Sequence, residues 1–394
     1  MSIFLNVNFK VSLVVLLIGL LLIATHSMAT VLPEERSDVM FHEYEGGGVT
    51  INGPSVLVRK NYMDRISINA NYYVDNVTSA SIDVLSYGSP YVEERTEQSV
   101  GIDLLRDKSI VSMSYTNSTE NDYDAKSFSA GFSRDLFGDL TTVSVKFGFG
   151  DDVVRAMGQA AFEDTLTRKN YQLSVSQILT KKLIMAVNFE SINEEGFLRN
   201  PYRKSSILMP NDFGVVNRQG TWEEENYPNT RTSDATSLRF KYYLPYRAAL
   251  RAEYRHYSDS WEIQGNNFEI GYTHPIEALN LTLDVRYRTY QQEAAFFFID
   301  FLDASNGEEV PTYHGRDKEL AEYSTTSVGV GVKWEFLSRS WFVLDKASIS
   351  LNYDHIAFEY DNYRTADAEG YELGQEPLYK FDANVTRIFI TAIY

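Results

Sequence analysis

The sequence predicts an all-β fold: a transmembrane, antiparallel, up-and-down β-barrel of about 14 strands, with a range of about 12 to 16. Three observations predict it. Long segments alternate apolar and polar residues with a period of two, the connections between them sort by length, and the N-terminus has the pattern of an export signal. Composition alone leaves open a tyrosine-rich soluble β-sandwich as the alternative.

The N-terminal segment, residues 1–29, is interpreted as a cleaved secretory signal peptide. Lys10 precedes an apolar run from Val11 to Ala24, which a single serine interrupts. Ser27-Met28-Ala29 then offers small residues at both cleavage-recognition positions, so we expect cleavage after the last of them. An uncleaved anchor is the alternative, but the run is shorter than the roughly 20 residues that a spanning helix needs.

The next segment, residues 30–64, carries mixed charges and several glycines, and we interpret it as a periplasmic segment that could plug the barrel. The barrel itself is predicted over residues 65–394. Its candidate strands are long, whereas strands average about 5–6 residues overall and tilted membrane strands need roughly 9–11. The predicted strands are 65–75, 94–105, 109–118, 125–134, 140–149, 165–178, 183–190, 234–244, 248–257, 261–274, 279–290, 321–336, 346–358 and 378–394.

The connections between these strands favour a membrane barrel. If the first strand runs outward, all even-numbered connections are nine residues or fewer, and most odd-numbered ones are fifteen or more. Two odd-numbered connections, 119–124 and 258–260, are short. Outer-membrane barrels place short turns inside and long loops outside. We therefore expect the protein in the outer membrane of a Gram-negative bacterium, with its N-terminus in the periplasm.

The last predicted strand ends on an aromatic residue. Ile388, Ile390, Ala392 and Tyr394 alternate on one face of it. Such an end resembles the closing strand of an outer-membrane barrel, which the assembly machinery reads. We interpret these four residues as an assembly signal, and we expect the barrel-assembly machinery, outer-membrane lipid and lipopolysaccharide as partners.

Composition excludes several classes of function. The net charge of −18 argues against nucleic acid as a partner, because binding it requires a basic surface. The chain has no cysteine, so disulfides, thiolate metal sites, a cysteine nucleophile and a lipidated cysteine are excluded. The 27 tyrosines and 23 phenylalanines suit aromatic girdles at two membrane interfaces. No catalytic residue, cofactor or metal is predicted.

The polar faces of several predicted strands are unusually charged. If consecutive strands pair, these residues form a ladder on the inner wall. It would act either as an electrostatic constriction that selects small charged solutes or as a salt-bridge lattice that stiffens the wall. The candidate lumen-lining residues are Arg239, Lys241, Arg251, Glu253, Arg255, Glu269, Asp284, Arg286, Arg288, Lys333 and Glu335.

These patterns leave three functions open. The leading hypothesis is a narrow or gated channel for small charged solutes. The second is a non-conducting barrel that scaffolds or docks a periplasmic lipoprotein or redox partner. The third is an enzyme at the outer rim, but Pro275 ends the strand after His274, and the adjacent Asp354 and His355 point to opposite faces. The acidic loop 359–377 suits calcium or plain solvation.

One region resembles a known family. The stretches YEGGGVTINGPSVLVRKNY (44–62) and NYYVDNVTSASIDVLSYGSPYVEER (71–95) resemble the opening of an uncharacterised Gram-negative family, domain of unknown function 3570 (DUF3570). The resemblance implies a secreted outer-membrane barrel of about this size. Family members are encoded beside a small lipoprotein and a flavin transferase, which implies an envelope role in redox maturation or electron transfer. The residues that carry it are Gly46 to Gly48, Gly53-Pro54-Ser55, Arg59-Lys60, Tyr73 with Asp75, and Ser79-Ala80-Ser81-Ile82-Asp83.

Overall fold

The structure is a computed structural model of the chain. The predicted signal peptide lies outside the residues that it describes. No helix in the described part of the chain is long and apolar enough to cross a membrane. The described residues are 31–79, 91–159, 161–208, 221–303, 309–365, 368, 370–371 and 374–394.

Most strands of the described chain form one closed, antiparallel barrel. A separate three-stranded sheet consists of β10 (Lys204–Leu208), β11 (Thr221–Glu224) and β16 (Leu302–Asp303). The sixteen barrel strands are β1 (Arg36–Gly46), β2 (Val49–Tyr62), β3 (Ile66–Ser79), β4 (Tyr91–Arg106), β5 (Ser109–Thr119), β6 (Tyr123–Leu136), β7 (Thr141–Arg155), β8 (Glu163–Thr180), β9 (Leu183–Gly196), β12 (Thr230–Tyr243), β13 (Ala249–Asp259), β14 (Gln264–Ile276), β15 (Leu281–Gln292), β17 (Tyr323–Leu337), β18 (Lys346–Arg364) and β19 (Leu378–Ile393).

The barrel has sixteen strands, the upper limit of the predicted range and two more than the central prediction. Each of the fourteen predicted strands overlaps a barrel strand. The two additional strands, β1 and β2, come from residues 30–64, which the sequence analysis interprets as a periplasmic segment that could plug the barrel; the structure instead places most of this segment in the barrel wall. The wall begins at Arg36 and closes where β1 pairs with β19.

The N-terminal strands were missed because glycines interrupt their pattern. Gly47 and Gly48 have φ of +58° and +78°, and they form the two-residue turn of the β1–β2 hairpin. A Gly-Pro pair is typical of a turn, but Gly53 and Pro54 lie within β2. The β2–β3 pairing omits these two residues and resumes at Ser55, which fits a proline that cannot donate a ladder hydrogen bond.

Side chains of each barrel strand alternate between an apolar outer face and a polar inner face. On β17, the outward Val328, Val330 and Val332 are 42–49% exposed. The residues between them, Gly329 and Gly331, pair within the sheet beside the polar inner side chains of β15 and β18. The outer face of β17 is therefore an apolar stripe, and its inner face adjoins charged residues of the lumen such as Asp284, Arg286 and Asp354.

The two ends of the barrel differ. At the end that carries Arg36 and Ile393, here the turn end, consecutive barrel strands are joined by connections of eight residues or fewer. The opposite end, here the loop end, has long connections at 197–229, 293–322 and 365–377. The small sheet joins the first two of these loops, because β10 pairs with both β11 and β16.

The buried apolar core lies at the loop end. One cluster joins the 293–322 loop to the short β13–β14 connection: Phe297 of the loop is 2% exposed and Trp261 of the connection is 3% exposed. A second cluster packs Ala321 against Tyr360 and Tyr363 of β18. These clusters fix the 293–322 loop against the inner wall, so it partly occupies the mouth of the barrel.

Candidate functional site

The lumen contains a cavity of about 690 Å³, here the basic cavity, between β12, β13, β14 and β15. Seven of the eleven predicted lumen-lining residues line it: Arg239, Lys241, Arg251, Glu253, Arg255, Glu269 and Arg288. Arg231 and Glu319 join them, so six basic and three acidic side chains surround the cavity. This local excess of positive charge contrasts with the net charge of −18 for the whole chain.

The structure places the other four predicted residues elsewhere on the inner wall. Asp284 and Arg286 take part in ion pairs beside the cavity. Lys333 and Glu335 lie near the turn end of β17 and form an ion pair with each other, with Nζ and Oε1 3.3 Å apart.

The residues of the predicted assembly signal lie at the barrel seam. Ile388 and Ile390 point outward and are 39% and 48% exposed. The Tyr394 hydroxyl donates to the carbonyl oxygen of Arg59 at 3.1 Å, and Nζ of Lys60 lies 4.9 Å from the tyrosine ring centroid. The end of the last strand is therefore held by β2, across the intervening β1.

Several ion pairs in the lumen skip a strand. Arg251 of β13 donates from Nη1 and Nη2 to the Asp284 carboxylate of β15, at 2.6 and 2.9 Å. Gly271 lies between them on β14, opposite Arg251, and a Cβ there would clash with the guanidinium. Asp284 also accepts from the Thr273 hydroxyl at 2.6 Å. Because Gly271 of β14 has no side chain, the Arg251 guanidinium can cross that strand and reach Asp284.

The same arrangement recurs one step around the barrel. Arg286 of β15 forms a two-point ion pair with Asp354 of β18, across Gly329 of β17. Arg387 of β19 donates to the same carboxylate at 2.6 Å. Because Asp354 is only 6% exposed, both guanidinium groups offset the cost of burying its charge. This part of the ladder is a lattice of salt bridges.

Two cations in the basic cavity are not neutralised in this way. Within the described residues, Lys241 has no hydrogen-bond or ion-pair partner, and Arg288 donates only from Nε to the amide oxygen of Asn267. The remaining arginines have carboxylate partners, such as Glu253 for Arg239 at 2.6 Å. Within the described residues, Lys241 and Arg288 are therefore the cations of the basic cavity that have no carboxylate partner.

A second cavity of about 560 Å³, here the aromatic cavity, adjoins the first. The two share Arg231, Gln292 and Glu319 as lining residues. The aromatic cavity extends across the mouth from the 293–322 loop to β1 and β2. Its aromatic lining residues are Tyr44, Tyr227, Trp261, Tyr323, Phe358, Tyr360 and Phe381.

A glutamine fixes the boundary between the cavities. Gln292 donates from Nε2 to the carbonyl oxygens of Glu319 and Ala321, both at 2.9 Å. Its Oε1 accepts from the Tyr290 hydroxyl at 2.7 Å. The 3₁₀ turn Lys318–Leu320 is thereby fastened to β15 and held inside the mouth.

The loop that carries this turn depends on a buried carboxyl group. Glu225 is 1% exposed and accepts from the Tyr227 hydroxyl at 2.5 Å and from the backbone N–H of Arg316 at 2.8 Å. Burial raises the pKa of Glu225 above its ordinary range, and the two hydrogen bonds oppose that shift only in part. Burial likewise raises the pKa of Asp300, which pairs with Arg316 at 3.0 Å.

Sequence reasoning did not identify the aromatic cavity, because its residues come from strands and loops far apart in sequence.

The acidic loop 359–377, which the sequence analysis considers for calcium, begins inside β18. Three of its acidic residues, Asp367, Glu369 and Glu372, lie outside the described residues. Another acidic group, Glu93, Glu120 and Asp122, brings carboxylate oxygens within 4.8 Å of one another. Burial raises the pKa of Glu120.

Comparisons with known proteins give one family. A family profile described as "Protein of unknown function (DUF3570)" matches residues 82–172 and 159–379, which together span more than half of the chain. The match begins after most of the residues on which the sequence resemblance rests. No curated protein matches the sequence.

Several solved structures are similar in overall shape. A bacterial polysaccharide outer membrane secretin is 7% identical, with a TM-score of 0.49, covering 92% of this chain and 100% of that one. The trimer form of OmpT from Vibrio cholerae is 12% identical, with a TM-score of 0.42, covering 93% and 100%. A Pseudomonas aeruginosa FadL homologue is 8% identical, with a TM-score of 0.42, covering 92% and 91%.

Proposed function

The chain belongs to the DUF3570 family, and we propose that it is an outer-membrane channel that passes small anionic solutes through a basic lumen. The observation that carries the proposal is the pair of cations, Lys241 and Arg288, that lack carboxylate partners in the described chain. Barrels of about 16 strands can enclose an aqueous channel, whereas those of about 8 are filled by side chains. The strand count therefore supports a lumen with room for a solute.

The outer surface supports residence in a membrane. Strands of 11 to 19 residues meet or exceed the roughly 9–11 that a tilted membrane strand requires. The exposed valine stripe of β17 continues in Trp334 and Phe336, which are 49% and 51% exposed. Such a surface is costly in water and stable in lipid. In our proposal the turn end, with the N-terminus, faces the periplasm, and the long loops face outward.

The basic cavity supports selection by charge. A low-dielectric wall concentrates the field of charges that have no partners, and anions accumulate where that field is positive. The paired arginines, such as Arg251 and Arg286, contribute less to the field because Asp284 and Asp354 cancel most of their charge. In this mechanism the lattice keeps the wall rigid, and Lys241 and Arg288 attract the solute.

Planar-bilayer recording tests the proposal. The mature chain is refolded in detergent, its fold is checked by migration on a gel before and after boiling, and currents are recorded across a KCl gradient. We expect discrete conductance steps and a reversal potential on the anion-selective side. Replacing both Lys241 and Arg288 with Ser should shift the reversal potential toward cation selectivity.

A matched control uses another lumen-facing lysine. Lys146 of β7 lies on the inner face but lines neither cavity, so Lys146→Ser should shift the reversal potential much less. A folded barrel that passes no current would contradict the proposal. That result would favour a non-conducting barrel that docks a periplasmic lipoprotein, and capture of such a lipoprotein by the refolded barrel would test it.

A further inference from the structure

We propose that the boundary between the two cavities is a binding site for a planar aromatic ring that carries one carboxylate. The site, here the boundary site, consists of Arg288, Tyr290, Gln292 and Tyr323. The inference rests on the proposed channel for its physiological meaning, because it names the solute. Binding itself requires only the folded barrel, so the two ideas can be tested apart.

The carboxylate side of the site is Arg288. Its Nε is oriented by Asn267, and the two terminal nitrogens have no acceptor within the described residues. A guanidinium held in this way presents two parallel N–H groups, which match the two oxygens of a carboxylate. Three acidic side chains line the same cavity, so a singly charged anion fits better than a multiply charged one.

The ring side of the site is aromatic. The Tyr290 and Tyr323 rings lie 5.7 Å apart between centroids, and the first lines the basic cavity while the second lines the aromatic cavity. Beyond Tyr323, Phe358 and Phe381 form a stacked pair with centroids 4.4 Å apart and an interplanar angle of 7°. Flat rings prefer offset or edge contacts with such surfaces, so an aromatic ligand gains more here than an aliphatic one.

The spacing of the two sides sets the size of the ligand. Arg288 and Tyr290 lie two residues apart on the same face of β15, which places their backbones about 7 Å apart along the strand. A fused bicyclic carboxylate spans that distance. The volumes of about 690 and 560 Å³ are within the roughly 300–1,000 Å³ typical of small-molecule sites. Gln292 hydrogen-bonds both the 3₁₀ turn and the Tyr290 hydroxyl, and it therefore holds the turn beside Tyr290.

Calorimetric titration of the refolded barrel in detergent tests the site, with 2-naphthoate as the probe and empty micelles as the reference. Acetate tests the charge without the ring, and 2-naphthylmethanol tests the ring without the charge. We expect 2-naphthoate to bind at least about tenfold more tightly than either. Equal binding of acetate or of 2-naphthylmethanol would overturn the proposal, as would no binding of 2-naphthoate.

Two variants locate the site. Arg288→Gln should weaken 2-naphthoate binding by about tenfold or more, and Tyr323→Leu by about two- to tenfold. Lys146→Gln removes a lumen charge outside both cavities and should leave binding unchanged. Normal binding by Arg288→Gln would overturn the assignment. Conductance of KCl without binding of 2-naphthoate would contradict the proposed binding site and leave the proposed channel standing. Binding of 2-naphthoate without conductance would support the binding site and contradict the channel.

Discussion

Arg286 and Asp354 form a two-point ion pair although the strand β17 lies between the strands that carry them. The strand contributes Gly329 at the crossing point, opposite both residues in the sheet register. Neighbouring inward side chains in a sheet are normally the closest partners. Here a missing side chain lets partners two strands apart meet, which ties three strands together instead of two.

This relationship predicts the effect of Gly329→Ala. A Cβ at this position would collide with the Asp354 carboxylate and the Arg286 guanidinium. Separating the pair leaves a largely buried aspartate with weaker compensation, so we expect a loss of about 2–4 kcal/mol in the free energy of unfolding. Urea unfolding of the refolded barrel measures it. Gly131→Ala is the control, because the nearest atom would be 3.6 Å from the new Cβ; an equal loss there would contradict the explanation.

The charged ladder combines two roles that mutation can separate. Arg251→Ser and Lys241→Ser each remove one positive charge from the basic cavity. Arg251 has a two-point partner in Asp284, so its loss should lower the free energy of unfolding by about 1–3 kcal/mol. Lys241 is exposed to the lumen and has no partner in the described residues, so its loss should change stability by no more than about 0.5 kcal/mol.

Both substitutions should reduce anion preference, which a reversal-potential measurement records. Denaturant unfolding then shows which of them also belongs to the lattice. If Lys241→Ser destabilised the barrel as much as Arg251→Ser does, the division into supporting and attracting charges would be wrong.

The barrel was largely predictable from sequence, because period-two alternation and strand length are local properties. The strand β17 shows why: Val328 to Phe336 alternate with small or charged residues in the printed sequence. The hairpin of β1 and β2 was missed because Gly53-Pro54 suggests a turn, and only the register shows that the strand continues through it. A Gly-Gly pair between two β-like runs was the available signal.

The candidate site was predictable only in part. The alternation of apolar and polar residues placed Arg251 and Arg288 on the inner wall. It did not show that Arg251 has a carboxylate partner and that Arg288 has none in the described residues. That difference depends on Gly271, a small residue on another strand, and therefore on the pairing register. The aromatic cavity depends on tertiary packing of the 293–322 loop, which no local pattern encodes.

The buried Glu225 predicts how the loop responds to pH. Because folding raises the pKa of Glu225 above its ordinary value near 4.5, the folded loop binds more protons than the open loop at intermediate pH. The stabilisation that protonated Glu225 gives to the folded loop is therefore fully present below about pH 4.5. It is lost as pH rises through the raised pKa of Glu225. Asp300 acts in the same direction, because burial also raises its pKa.

Glu225→Gln should remove much of this dependence. A neutral amide accepts from the Arg316 N–H and donates to the Tyr227 hydroxyl, so both contacts survive without a buried charge. Native-state hydrogen exchange of peptides from residues 309–322, corrected for intrinsic rates, measures loop opening at about pH 5 and about pH 7.5. We expect the variant to protect the loop better than the wild type at the higher pH. Equal protection of both proteins there would contradict the prediction.

The closure of the barrel by β1 gives the last prediction. The strand pairs with β19 from Arg36 to Gly46 and with β2 over the same residues. Deleting residues 31–62 removes two wall strands and the partners of β19 and β3, which must then either pair with each other in a register that is absent from the structure or expose unpaired edges to lipid. We therefore expect the deleted chain to yield no barrel, seen as loss of the migration shift between unboiled and boiled samples. Deletion of residues 31–35 alone is the control and should retain the shift, since the wall begins at Arg36. If the longer deletion still folded into a heat-sensitive barrel, residues 36–62 would not be needed to close the wall, and the prediction would be wrong.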